Sequence, residues 1–198
     1  MNKVWTVALL LACATGAAAA PAPGDPAAVV GSFNASLLAT MKEGKGLGLA
    51  GRTAKLLPLV KATHDMPAMT RLVVGPAWAT TAPADKTALT EAFTRHSVVA
   101  YATNFSAFDG QHFTIQPKVE LRGEDAVVHA AIVAKDGTTP LNYRLHKTAD
   151  GWRIVDVYAG GISQIAVQRA EFASTIKSGG AAALAARLSA ADEARLGK

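Results

Sequence analysis

Residues 151–172, G-W-R-I-V-D-V-Y-A-G-G-I-S-Q-I-A-V-Q-R-A-E-F, change backbone period part-way along. Positions 152–158 have the aromatic and β-branched content of a strand. Apolar residues occupy both parities there: Trp152, Ile154 and Tyr158 on one, Val155 and Val157 on the other. Such a strand is covered on both faces, or has one face on the core and the other on a ligand. Gly160-Gly161 stops it, because paired glycines reach the backbone angles of a sharp turn. Beyond the turn Ile162, Ile165, Ala166, Arg169 and Phe172 recur at helical spacing, and Ser163 is placed to cap that helix. A strand that turns straight into a helix predicts a helix lying back across its own sheet.

Upstream, from the turn at Asp109-Gly110, the period is about two. Phe113, Ile115, Val119 and Leu121 alternate with polar residues, and Pro117 marks an edge or a bulge. Gly123-Glu124-Asp125 turns the chain into residues 126–134, a nearly continuous apolar strand. Lys135-Asp136-Gly137 turns it again, and Leu141, Tyr143 and Leu145 then alternate with Asn142, Arg144 and His146. Ala149-Asp150-Gly151 leads into the strand quoted above. Four strands joined by short turns predict an antiparallel meander.

Before residue 110 the spacing is helical. Asp25 can cap a helix with Pro26 at its first position, followed by Val29, Val30, Phe33, Leu37, Leu38 and Met41. The glycine-rich residues 43–51 predict a loop, and Pro58 should disturb a helix begun at residue 52. His64-Asp65-Met66-Pro67 opens a short helix carrying Met69, Leu72 and Val73; Gly75-Pro76 ends it before Trp78. Residues 83–105 form the longest helical pattern, with Leu89, Phe93, His96 and Ala100 on one stripe and Val99 and Tyr101 widening it. Past Ser178-Gly179-Gly180, residues 181–198 are alanine-rich with little large apolar surface, as in a loosely packed terminal helix or a frayed tail.

Residues 1–19 read as a secretory signal peptide. Lys3 supplies the positive charge, residues 4–11 the apolar run, and Ala17 to Ala20 the small residues around the cut. Pro21 disfavours cleavage directly before it, so the cut is expected after Ala19. Leu10-Leu11-Ala12-Cys13 offers the alternative of a lipoprotein box, in which Leu11 fits poorly. Cys13 is the only cysteine, so an ordinary cleavage leaves neither a disulfide nor thiol chemistry. Residues 20–180 have the length of one domain, ahead of the alanine-rich end. The net charge of +5 is diffuse. It suits transient contact with anionic lipid surfaces, and the absence of a basic cluster with interleaved aromatics argues against nucleic acid.

Catalytic signatures are missing. The 5 histidines, His64, His96, His112, His129 and His146, fall in separate elements with no metal-ligand spacing. Gly161-Ile162-Ser163-Gln164-Ile165 lacks the second glycine of a nucleophile elbow. No cofactor or metal is expected. Asp156 is the one polar residue on the Trp152 parity, where a lone carboxylate is costly unless hydrogen-bonded. It either serves an acid–base role on a hydrophobic substrate or is held by an arginine or by the backbone donors of a helix start. The second reading is favoured, since no partner for catalysis is visible.

W-R-I-V-D-V, then G-I-S, then a helix with Q-R-x-E-F resembles the closing motif of the MlaC (toluene-tolerance) family of periplasmic lipid-binding proteins. The run from Asp85 through Leu89 to Phe93 is similar too, as is the order of a broken helix, Gly-x-x-Trp and a long helix before the sheet. Phe108-Asp109-Gly110-Gln111 and Ala166-Val167-Gln168-Arg169 resemble the hopanoid-associated branch, HpnM. The resemblance implies an α+β fold in which helices cover a strongly twisted antiparallel sheet and enclose an apolar cavity. It implies a monomeric, non-catalytic shuttle in the periplasm that carries a hopanoid or phospholipid between inner- and outer-membrane lipid-transport complexes. On that basis Phe33, Leu72, Trp78, Phe93, Tyr101 and Phe105 from the helices should supply much of the cavity wall. Ile115, Ile132, Tyr143, Leu145, Ile154 and Val157 should do so from the strands. Arg144 and Arg153 could approach a phosphate, although exposed solubilising charges are their simpler role.

Overall fold

The computed structural model describes residues 24–197, so residues 1–19, expected to be a signal peptide, and Cys13 lie outside the described residues. Five strands pair in sequence order, all antiparallel: β1 (His112–Arg122), β2 (Asp125–Ala134), β3 (Gly137–Thr148), β4 (Gly151–Ala159) and β5 (Ile162–Ser163). The meander of four is therefore extended by a two-residue fifth strand. Ile162 pairs with Ala159 in it and lies 60% exposed, rather than beginning the helix face. The register of β1 against β2 shifts between Ile115 and Val119, across Pro117, whose missing N–H cannot join a ladder.

β4 is buried from Gly151 to Val157 except at Arg153. Part of its two-sided apolar character comes from a bulge. Arg144 faces Asp156 while Leu145 faces Ile154, so Val155 is the extra residue. A bulge exchanges the faces beyond it. Val157, opposite Tyr143, thus returns to the face of Ile154 and Leu145, and Asp156 leaves the Trp152 parity on which simple alternation puts it.

The helical layer comprises α1 (Pro26–Thr63), α2 (Met66–Val74), a 3-10 turn (Gly75–Thr80), α3 (Pro83–Asn104) and α4 (Gln164–Leu196). Asp25 accepts from the Ala27 N–H at 2.8 Å, with Pro26 first in α1. Residues 43–51 are not a loop. Helix runs through them apart from Gly48, whose φ of 62° makes a kink between two helical segments. Pro58 does not end the second segment either. It and Ala54, whose carbonyl it leaves without an intrahelical donor, are both exposed, so that carbonyl can be hydrated.

A buried arginine explains why the kink is tight. Arg52 Nε donates to the Ala102 carbonyl at 2.8 Å and Nη1 to the Gly44 carbonyl at 2.6 Å. It satisfies acceptors near the ends of both α3 and the first segment of α1. A Cβ on Gly44 would run into the Ser106 carbonyl oxygen, a backbone atom that cannot step aside alone. Gly44→Ala is expected to lower stability by about 1–3 kcal/mol in urea unfolding, as overpacking does. An unchanged midpoint would show that the two backbones can separate freely.

The alanine-rich end is helix and is packed. Gly180, φ 67°, kinks α4, and beyond it Ala181, Leu184, Leu188 and Asp192 are buried. His96 of α3 meets Asp192 there, Nδ1 to Oδ1 at 2.8 Å. One core cluster joins both layers, with Phe33, Leu37, Leu56, Val60, Leu89 and Phe93 from helices against Val128, Tyr143, Leu145 and Ile154 from strands. Among the described residues no helix is long and apolar enough to cross a membrane.

Candidate functional site

The link between α1 and α2 docks on the middle of β4. His64 bridges to Ile154 in parallel sense, and the Asp65 N–H donates to the Ile154 carbonyl at 2.9 Å. Asp65 then caps α2 through Ala68 N, 2.9 Å from its Oδ1. This places the His64 side chain between the layers, where aromatic rings gather. Phe33 makes edge contacts with His64, Tyr101 and Tyr143 at centroid distances of 4.8, 5.2 and 6.2 Å. Tyr101, Phe105 and Phe113 continue the row outward at 6.2 Å per step.

A pocket of about 200 Å³ opens beside this row. Ser97, Tyr101 and Asn104 of α3 and Phe105 just past its end wall it, with Met69 of α2 and His64 alongside. Leu141, Tyr143, Val157 and Ala159 form the sheet side, and Gln164 and Gln168 stand at the start of α4. The lining is mostly apolar with a few amide and hydroxyl groups, the mixture of a small-molecule site.

The hydrogen bonding fixes the state of His64. Thr63 Oγ1 gives its proton to the Leu59 carbonyl at 2.8 Å, so toward His64 Nδ1, 2.9 Å away, it must accept. Nδ1 therefore carries the proton, and Nε2 accepts from the Tyr101 hydroxyl at 3.2 Å. Burial pushes the imidazole from 6.5 down to about 3, against a smaller upward push from its hydrogen bond to Val60. Burial, and next the charge of Asp156, raises the Tyr101 phenol. Burial and then Tyr101 raise Tyr143, and its 2.6 Å bond to Asn34 Oδ1 opposes them. All three rings are neutral at physiological pH.

A histidine held neutral by the fold stabilises it fully above its unfolded pKa of about 6.5, and that contribution is lost as pH falls toward the folded value. At about pH 5 the loss should be about 2 kcal/mol. Urea unfolding near pH 7 and near pH 5 should show it in the native chain and not in His64→Gln. Equal acid losses in both chains would assign the effect elsewhere.

Asp156 is occupied structurally. Its Oδ1 accepts from Val157 N at 2.8 Å and Ile165 N at 3.2 Å, and its Oδ2 from the Ser163 hydroxyl at 2.6 Å. Ser163 Oγ in turn accepts from Ala166 N at 3.0 Å. The carboxylate ties the sheet edge to the first turn of α4 and is not part of the pocket lining. This is the geometry of a carboxylate held by backbone donors at a helix start.

Of the predicted wall residues, Tyr101, Phe105, Tyr143 and Val157 line the pocket directly. Phe33, Phe93, Leu145 and Ile154 are buried in the core behind it. Leu72, Trp78, Ile115 and Ile132 pack, partly buried, against that core. Sequence reading missed His64, Met69, Ser97, Leu141, Gln164 and Gln168. The four-residue spacing of Gln164 and Gln168 straight after the Gly-Gly turn is the one signal that could have placed a pair there; His64 had none.

A family model described as MlaC protein matches residues 32–190. The chain belongs to the MlaC family. The matched span takes in α4 beyond its kink, as far as residue 190. A phospholipid-binding protein from Ralstonia solanacearum, solved in complex with a phospholipid, has a similar fold. The TM-score is 0.73 at 24% identity, over 88% of this chain and 99% of that one.

Proposed function

We propose that this MlaC-family protein is a periplasmic carrier that holds one lipid, a hopanoid or a glycerophospholipid, with its tail between helices and sheet. The observation that carries the reading is the aromatic pocket between α3 and β3–β4, reached past Gln164 and Gln168. Tyr101, Phe105, Tyr143 and Val157 are the first contacts of the tail. Each methylene removed from water is worth about 0.8 kcal/mol, which is why an acyl chain or a triterpenoid needs such a shield to cross an aqueous space. The phospholipid bound by the Ralstonia protein supports the same cargo class.

At about 200 Å³ the pocket is smaller than the usual ligand site of about 300–1,000 Å³, so loading requires the layers to part. Gly48 and Gly75, both at positive φ, sit where helical segments can swing. Such movement would bring Phe33, Phe93, Leu145 and Ile154 into the wall, and Leu72, Trp78, Ile115 and Ile132 to its margins. The reading further includes export through residues 1–19 with cleavage after Ala19, action as a monomer, no catalytic step, and exchange with inner- and outer-membrane complexes. The hopanoid-associated branch suggests a triterpenoid cargo.

Native mass spectrometry of the protein purified from its own periplasm, followed by organic extraction, tests this. One lipid per chain is the expected result, and the extract names it. A mass without lipid that stays unchanged after incubation with membranes would refute the carrier reading.

A further inference from the structure

Gly180 divides α4 into two segments, and Arg187 of the second reaches back to the first. Its Nη1 donates to Thr175 Oγ1 at 2.8 Å and its Nη2 to Glu171 Oε1 at 3.3 Å, while the guanidinium lies over the Phe172 ring. Positions 12 residues apart on a straight helix are about 18 Å apart, so the segments fold back on each other. Further along, Asp192 Oδ1 meets His96 Nδ1 of α3 at 2.8 Å, and the His96 ring stands edge-on to Phe172. Residues 181–196 therefore cross the seam between α3 and the first segment of α4 and pin both of its sides. Those sides carry pocket wall. His96 adjoins Ser97 and lies one turn before Ala100, and Phe172 lies one turn past Gln168. Parting them widens the pocket.

The closed arrangement carries a cost of its own. Asp192 is fully buried, and among the described residues no donor reaches its Oδ2. A buried carboxylate oxygen without a donor is unfavourable, and opening relieves it by bringing the group to water. Leu184 and Leu188 are the large apolar side chains that oppose opening. The fold-back is also tight, since a Cβ on Gly179 would stand 2.5 Å from that of Ala183. Gly180, at φ 67°, supplies the hinge. We propose that residues 181–196 are a strap that swings about Gly180. Released, it lets α3 and the first segment of α4 part and exchange cargo; closed, it keeps the lipid in. The proposal rests on the carrier reading above and adds the element that regulates its pocket.

Hydrogen exchange, read peptide by peptide, tests the strap directly. In the native chain residues 181–196 should exchange faster than α3 and the sheet, as an element that opens below global unfolding does. Gly179→Ala touches neither His96 nor Asp192. It should speed that exchange about tenfold more, toward the low end of what overpacking costs, and leave the sheet unchanged. Transfer of an NBD-labelled phosphatidylethanolamine from the protein to phosphatidylcholine vesicles should quicken with it. The opposite variant is loaded first, then joins Thr175→Cys to Arg187→Cys through a short reducible thiol cross-linker, with Cys13→Ser removing the one native thiol. Linked, it should hold its lipid, and reductant should restore transfer. Residues 181–196 exchanging only with global unfolding would overturn the strap. So would a Gly179→Ala chain or a linked chain that transfers lipid at the native rate. Each of these leaves the carrier reading standing. A native chain that takes up no lipid removes the carrier reading, and the exchange data then decide the strap alone.

Discussion

Phe33→Ala is expected to cost about 3–5 kcal/mol of folding stability and to lower the melting temperature by about 10 °C. Phe33 is fully buried, and its ring meets His64, Tyr101 and Tyr143 edge-on. Removing it forfeits the transfer energy of the ring and leaves a cavity that three neighbours cannot close together. His64 is fixed to β4 through its backbone bridge, Tyr101 to His64, and Tyr143 to Asn34. Phe33→Leu keeps most of the volume and should cost much less, under about 2 kcal/mol. Calorimetry on both variants decides it. If Ala and Leu destabilise equally, the edge-on ring contacts rather than the volume carry the energy.

Asp156→Ala should cost about 3 kcal/mol, concentrated at the start of α4. The carboxylate accepts from Ile165 N and Ser163 Oγ, and Ser163 caps the same helix, so one deletion strips two layers of the cap. It also removes a negative charge from the positive end of a helix. Asp156→Asn retains an oxygen for Ile165 N and should lose roughly half as much. Hydrogen exchange should show the first turn of α4 opening ahead of the rest in the Ala variant. Uniform loss of protection along the chain would mean that Asp156 serves the whole core instead.

Much of this architecture is legible in the chain. Alternation at Leu141, Tyr143 and Leu145, the Gly-bearing turns and the Gly160-Gly161 break define the meander and the helix after it, because a strand exposes its period of two directly. Ser163 as a cap and Asp156 as a partner of backbone donors follow from local chemistry. The helix-spanned residues 43–51 do not. Glycine content predicts a loop, and only the buried Arg52 between the Gly44 and Ala102 carbonyls shows why helix continues on both sides of Gly48. The alanine-rich end hides its packing for a similar reason: Leu184 and Leu188 are few, but both are buried in a helix that packs on α3.

The pocket divides along the same line. Tyr101, Phe105, Tyr143 and Val157 could be named because aromatic and branched residues on an amphipathic helix or an inward strand face are natural wall material. Which of twelve such residues touch the space was settled by the bulge at Val155 and by the convergence of α3, β3, β4 and the start of α4 on one pocket. Neither leaves a periodic trace. The sequence by itself determined the four-strand meander, the helix after it and the family, since those depend on contacts between near neighbours and on motifs. Tertiary structure alone placed His64 against Tyr101 in the pocket wall, because side chains 37 positions apart meet only where elements pack.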